Sequence, residues 1–313
     1  TPGTATVLVG GTQQFAAVAF DQFASPLATQ PTLTWLTSGG GAVTSAGLFT
    51  APLTAATSTV AASASFVTGR ATVTTTVDQS ISVAAGQTVT EAGGRSGAGA
   101  LIKRGSGTLV LAGANTYTGG TIVEEGEVVV RDVAALGGGR LEVRSGARVT
   151  LDVGLGQLAL PALVMDPLGR IDLGTARLSI ATGGITEAVA RQMLLVGRND
   201  GTWDGISGFT SRMATPSSNR TLGYLVAPEG VTIAYVAAGD ANLDGIIDVS
   251  DMACFVTNID SPDQQDAGWS GGDFNYDGLV DQLDLSDFLG TGLFDQGIYL
   301  SGADAAFAAF GME

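Results

Sequence analysis

The chain has 313 residues, no histidine, one cysteine and only 14% charged residues. Globular domains usually carry about 25%. Without histidine there is no His-dependent catalytic triad, no His-ligated zinc and no haem held by His. A single cysteine excludes an internal disulfide and a Cys-cluster metal site. Aromatics are 6% of the chain, with 3 Trp, which is little material for an aromatic sugar-binding platform. No apolar run reaches about 18 residues, so no membrane span is expected. The opening residues TPGTATV have neither Met nor a basic n-region, the expected look of a mature piece or an internal cut of a longer protein.

Glycine is abundant at 46 residues, hydrophobic residues make up 45%, and the net charge is −16. That charge argues against nucleic acid as a partner, because phosphate binding needs Lys/Arg stripes. It is also unevenly placed. Residues 1–220 hold 14 acids and 14 bases, whereas 221–313 hold the remaining 16 acids and no Lys or Arg. A folded segment with that much unopposed charge repels itself unless cations are bound.

Residues 1–78 alternate apolar or β-branched residues with small polar ones, as in TATVLV, TLTWL and RATVTTTV. Period-two alternation predicts strands with one buried face. Several short strands in this length predict a β-sandwich with Trp35 at its centre. The stretches GGTQQFAAVAFDQF, LTWLTSGGGAVTSAGLFTAP and STVAASASF resemble bacterial immunoglobulin-like repeats, which implies a spacer or adhesion unit over 1–78. Residues 79–236 keep the strand alphabet, but glycines now separate strands of about five residues, the pattern of a β-solenoid. Within it, Gly97 to Val130 carries Gly105, Gly107-Thr108-Leu109, Gly113, Asn115-Thr116-Tyr117 and Gly119-Gly120-Thr121. These markers resemble the autotransporter-associated β-strand repeat, with a weaker continuation through Val153. The resemblance implies a surface-exposed passenger region. Ile185 to Leu195 reads as a packing helix, and Trp203 and Tyr224 read as packing residues. The fold class expected is mainly β and multidomain, ending in a small helical module over 237–290 and a tail over 291–313.

The chemistry lies in that module. In GDANLDGIIDVSDMACFV, Asp240, Asn242 and Asp244 hold loop positions 1, 3 and 5, Gly245 position 6, Ile246 position 7, Asp248 position 9 and Asp251 position 12. The pattern returns 33 residues later (273 − 240) as Asp273, Asn275, Asp277, Gly278, Leu279, Asp281 and Asp284. Ca²⁺ takes six to eight oxygens, and alternate residues of a curling loop point inward to supply them. Position 7 offers its backbone carbonyl, so Ile246 and Leu279 are free to be apolar. Position 6 turns sharply at positive φ, which glycine allows. Positions 7 and 8 are placed to form a short strand pairing between the twin loops. Apolar residues follow each loop at helical spacing: Met252, Phe255 and Val256, then Leu285, Phe288 and Leu289. No amphipathic helix precedes the first loop. Two Ca²⁺ would offset four of the sixteen negative charges, and the module is expected to lose its structure without them.

Two loop–helix units of this kind resemble the type I dockerin over Gly239 to about Gly290. The resemblance implies two calcium ions and a cohesin-like protein partner at an extracellular location. It departs at Val249-Ser250 and Gln282-Leu283, where small hydroxyl residues help choose the partner, and at Val256-Thr257 and Leu289-Gly290, where a Lys-Arg pair is common. Dockerins also ride on glycoside hydrolases, so the alternative is an appendage of a polysaccharide-degrading enzyme whose catalytic domain lies upstream. No catalytic role is expected for this fragment itself: Gly268-Trp269-Ser270-Gly271-Gly272 matches the nucleophile-elbow pattern but lacks a base. Cys254 is expected to be a buried, inert thiol. The tail is expected to pack on the module through Phe294, Ile298 and Phe307.

Overall fold

The computed structural model describes residues 1–215, 219–259 and 268–299. The chain is mainly β and divides into two compact units, one of Thr1–Gln79 with Gly97–Ala100, the other of Ser80–Ser96 with Leu101–Glu313.

The first unit has two sheets. One orders Thr4–Leu8, Val67–Thr76, Ala56–Ala64 and Thr34–Ser38, with the first pair parallel and the rest antiparallel. The other is a small antiparallel sheet of Thr12–Gln14, Leu48–Thr50 and Ala42–Val43. Their shared core is Val7, Phe15, Phe49, Ala51, Val60, Ala71 and Val73. Phe15 and Phe49 meet edge to face at 6.5 Å. Trp35, expected at the centre, is only partly buried and packs at the margin. Its ring leans on Gly47, where a Cβ would come within 2.9 Å of Trp35 Cζ2 and 2.5 Å of the Phe15 carbonyl. Glycine is required there by both its positive φ of 80° and this close approach.

The second unit is a β-solenoid. One parallel sheet stacks Thr88–Glu91, Thr108–Leu111, Glu127–Val130, Arg148–Leu151, Arg170–Asp172 and Gly208–Thr210. A second stacks Gln79–Ser82, Leu101–Arg104, Thr121–Val123, Leu141–Val143 and Leu163–Met165. Successive coils bring like positions into line: Leu109, Val128, Val149, Ile171 and Phe209 form one interior ladder. Leu101, Thr121, Leu141 and Leu163 form another. Each buried aliphatic side chain in such a ladder contributes on the order of 1.5–3 kcal/mol of transfer free energy.

The repeat markers hold the corners. Asn115 Oδ1 accepts from the Arg95 amide at 2.9 Å, and its Nδ2 donates to the Ala135 carbonyl at 2.7 Å, so one side chain ties three coils. Tyr117 and Thr121 share a hydroxyl–hydroxyl bond of 2.6 Å, and Thr121 Oγ1 donates on to the Leu136 carbonyl. Lys103 stands at an interior rung, fully buried. Its ammonium survives there by donating to the carbonyls of Arg104, Gly105 and Glu125, and burial pulls its pKa down against the opposing pull of Glu125.

The coil then changes character. A four-stranded sheet runs Gln157–Leu160, Arg177–Ala181, Gly230–Val236 and Thr221–Ala227, with the last two forming an antiparallel hairpin. Helix α1, Glu187–Arg198, precedes strand Gly208–Thr210, with Thr186 as its N-cap. Its span fits the helix expected over Ile185 to Leu195. Trp203 and Tyr224 are buried in the same core, as packing residues. Among the described residues three further α-helices follow: α2, Val249–Asn258; α3, Gly268–Gly271; and α4, Gln282–Gly290. The described residues from 237 onward belong to the same compact unit as the solenoid.

Candidate metal centre

The two twelve-residue loops share most of their closing bonds. In the first, Asp240 Oδ1 accepts from the Asp244 amide and Oδ2 from the Gly245 amide. Asn242 Oδ1 accepts from Asp244 N at 2.9 Å, and Asp244 Oδ1 from Ile246 N at 2.8 Å. Asp251 closes the ring: Oδ1 accepts from the Ala241 amide, and Oδ2 from the Asp248 amide. In the second, Asp273 Oδ2 accepts from Gly278 N, Asn275 Oδ1 from Asp277 N, and Asp277 Oδ1 from Leu279 N. Asp284 accepts from Phe274 N and Asp281 N. Positions 4 and 6 both turn left-handed, Leu243 and Gly245 at φ 59° and 83°, Tyr276 and Gly278 at 66° and 89°.

Two expected ligands in each loop also start the following helix. Asp248 caps α2 and Asp251 bonds back to it; Asp281 and Asp284 do the same for α4. These are reciprocal capping boxes. The apolar residues behind them divide. Phe255 and Phe288 are buried, and Met252 and Leu285 pack partly against the core, whereas Val256 and Leu289 face solvent. Each helix is short and meets the body on one narrow stripe, so the second apolar position in each is left outside. Cys254 is half-buried rather than buried.

Four of the loop aspartates are out of water: Asp240 and Asp284 are 0% exposed, Asp251 and Asp273 1%. Burial pushes Asp240 up to about 7 and Asp284 up to about 6. It moves Asp251 and Asp273 in the same direction. Asn242 and Asp277 lie at the surface, and Asp244, Asp248, Asn275 and Asp281 are half-buried. Ile246 is half-buried and Leu279 exposed. Among the described residues, no three His, Cys, Asp or Glu side chains are gathered at metal-binding distance. The carboxylates are held on backbone donors. Among the buried loop carboxylate oxygens, Asp273 Oδ1 has no hydrogen-bond partner.

Several residues that shape this site carry no motif. Arg191, on α1, donates to Asp273 Oδ2 at 2.8 Å. Arg177, on the four-stranded sheet, donates to the Leu243 carbonyl. Burial lowers its pKa, while the Asp240 charge raises it. Tyr299 donates its hydroxyl to Asp240 Oδ2 and accepts from the Ala237 amide at 3.1 Å. Arg220 lies 4.6 Å over the Tyr299 ring. A loop motif read from its own positions gives no view of these partners.

The tail meets the loops through Phe294 and Tyr299. Ile247 bridges Phe294 in parallel, and the Tyr299 amide donates to the Gly245 carbonyl. Phe294 packs on Phe288 with ring centres 5.7 Å apart. Ile298, expected to pack, is exposed; Phe307 lies outside the described residues. Ile247, at position 8, thus pairs with the tail.

A family model, the passenger-associated-transport-repeat, matches residues 101–130. It covers the coils whose markers are Gly105, Asn115, Tyr117 and Thr121. No curated protein and no solved structure matches the chain. The repeat and the solenoid together suggest a secreted or cell-surface, passenger-like protein. Among the described residues, no helix is long and apolar enough to cross a membrane.

Proposed function

We propose that the chain is a non-catalytic part of such a protein and that its twin loops bind two calcium ions to present the C-terminal segment to a protein partner of cohesin type. The solenoid serves as a stalk, and residues 1–78 as an immunoglobulin-like spacer or adhesion unit. Asp240, Asn242, Asp244, Asp248 and Asp251 with the Ile246 carbonyl would hold one ion. Asp273, Asn275, Asp277, Asp281 and Asp284 with the Leu279 carbonyl would hold the other. The donor set is all oxygen, which suits a hard cation of flexible coordination. Calcium supplies, when bound, positive charge to carboxylates that are otherwise buried at high electrostatic cost.

The observation that carries this reading is Asp273 Oδ1, a buried carboxylate oxygen with no hydrogen-bond partner at position 1 of the second loop, where the first loop closes the equivalent Asp240 Oδ1 with the Asp244 amide. Buried polar atoms are rarely left unpaired without a reason. Val249 and Leu283, 75% and 61% exposed, stand where the chain departs from the dockerin pattern, so the face offered to a partner there is apolar. Capture from an envelope fraction in 5 mM calcium and in EGTA tests the partner role, with a purified cohesin domain as the defined bait. Calcium-dependent retention is expected. Equal retention in both buffers refutes the tethering role.

A further inference from the structure

The loop pair is joined to the solenoid through its own non-ligand side chains. Trp269, between the loops, is fully buried and donates Nε1–H to the Asp240 carbonyl at 2.7 Å. Its ring lies against Gly223 of strand Thr221–Ala227, where an added Cβ would stand 2.5 Å from Trp269 Cε2. That strand is the edge of the four-stranded sheet. Tyr276, at position 4 of the second loop, reaches the same edge and donates its buried hydroxyl to the Leu222 carbonyl at 2.7 Å. Tyr276 also stacks on Tyr224 at 6.2 Å and meets Trp203 edge-on at 6.0 Å. Leu243, at position 4 of the first loop, is buried in the same cluster. The left-handed turn at position 4 is what aims both side chains at the body.

The charges are joined as well. Arg177 of the sheet bonds the first loop and Arg191 of α1 bonds the second. Each loop therefore has one aromatic or aliphatic anchor and one arginine tying it to the coil. A solenoid needs its last coil covered, because an open end exposes sheet edges and apolar rungs.

We infer that the twin loops are the terminal cap of the solenoid and that calcium uptake by them locks the hairpin of edge strand Thr221–Ala227 and its neighbour Gly230–Val236. This rests on the calcium reading above. Whatever binds only the folded loops stabilises everything that must fold with them, by a factor of about ten per site at free calcium ten times the dissociation constant. The cap is then a second role of the same loops, and a calcium-sensitive one: the stalk end loosens where calcium is scarce.

Hydrogen exchange on the full chain, in 10 mM calcium and in EGTA, tests this together with titration calorimetry on the same sample. Calcium should slow exchange of the two hairpin strands by about tenfold or more. Trp269→Ala keeps every ligand residue and should still take up calcium, yet lose most of the strand protection. Tyr276→Phe, which removes only the hydroxyl bond to Leu222, should lose part of it. Heat of uptake with strand exchange unchanged between the two buffers overturns the cap and leaves calcium binding standing. Absence of any heat of uptake overturns both.

Discussion

Replacing Arg191 by Met removes the guanidinium 2.8 Å from Asp273 Oδ2 and keeps an unbranched apolar stem on α1. Asp273 is 1% exposed, whereas the Arg191 side chain is 22% exposed. Deleting one partner of a buried pair costs about 3–5 kcal/mol. Solvent reaches this arginine, so a loss of roughly 2–3 kcal/mol is the reasonable scale. For a unit of this size that lowers Tm by about 4–12 °C. The loss should appear in EGTA and shrink to less than about half of that in 10 mM calcium, because an ion in the second loop offsets the Asp273 charge. Adding Asp273→Asn should restore much of the Tm in EGTA, since no uncompensated carboxylate remains. Thermal unfolding followed by near-ultraviolet circular dichroism, which reads the buried Trp203 and Trp269, is the assay. An equal loss in both buffers refutes the idea that Arg191 and calcium act on the same charge.

Calcium should raise Tm without any substitution: at dissociation constants of ~10⁻⁴–10⁻³ M, 10 mM free calcium adds roughly 3–5 kcal/mol over two sites, or about 6–20 °C by differential scanning calorimetry. The pH dependence should invert with the ion. Asp240 and Asp284 hold their protons when folded up to about 7 and about 6, above the unfolded value near 3.9. In EGTA the folded state therefore binds more protons, and urea stability should fall as pH rises from about 4 through 7. In calcium the ion displaces those protons, and stability should instead rise over the same window. In the solenoid, Asn115→Ala removes the bonds to the Arg95 amide and the Ala135 carbonyl. It should cost about 2–4 kcal/mol in urea unfolding at any calcium level.

The solenoid was legible because its code is local. Gly105, Asn115-Thr116-Tyr117 and Thr121 stand at the corners, and each does a job visible one coil away. The loops were legible for the same reason: Asp240 to Asp251 and Asp273 to Asp284 are each closed by their own backbone. What escaped the sequence is long-range. Trp269 sits in a Gly-rich linker, and nothing local marks Gly223, some 46 residues earlier (269 − 223), as the notch that receives it. Tyr276 and Leu243 look like filler at position 4, and only the left-handed turn aims them inward. Val256 and Leu289 fit a helical apolar stripe but face water, because the cap is held by aromatic anchors and arginines more than by its helices. Trp35 lost the centre of its unit to Phe49, the fully buried partner of Phe15.

Isothermal titration of calcium into the full chain tests the central claim most directly. Two ions per chain should be taken up, with one lost in Asp240→Asn and one in Asp273→Asn. A flat titration to several millimolar calcium contradicts the assignment of both loops.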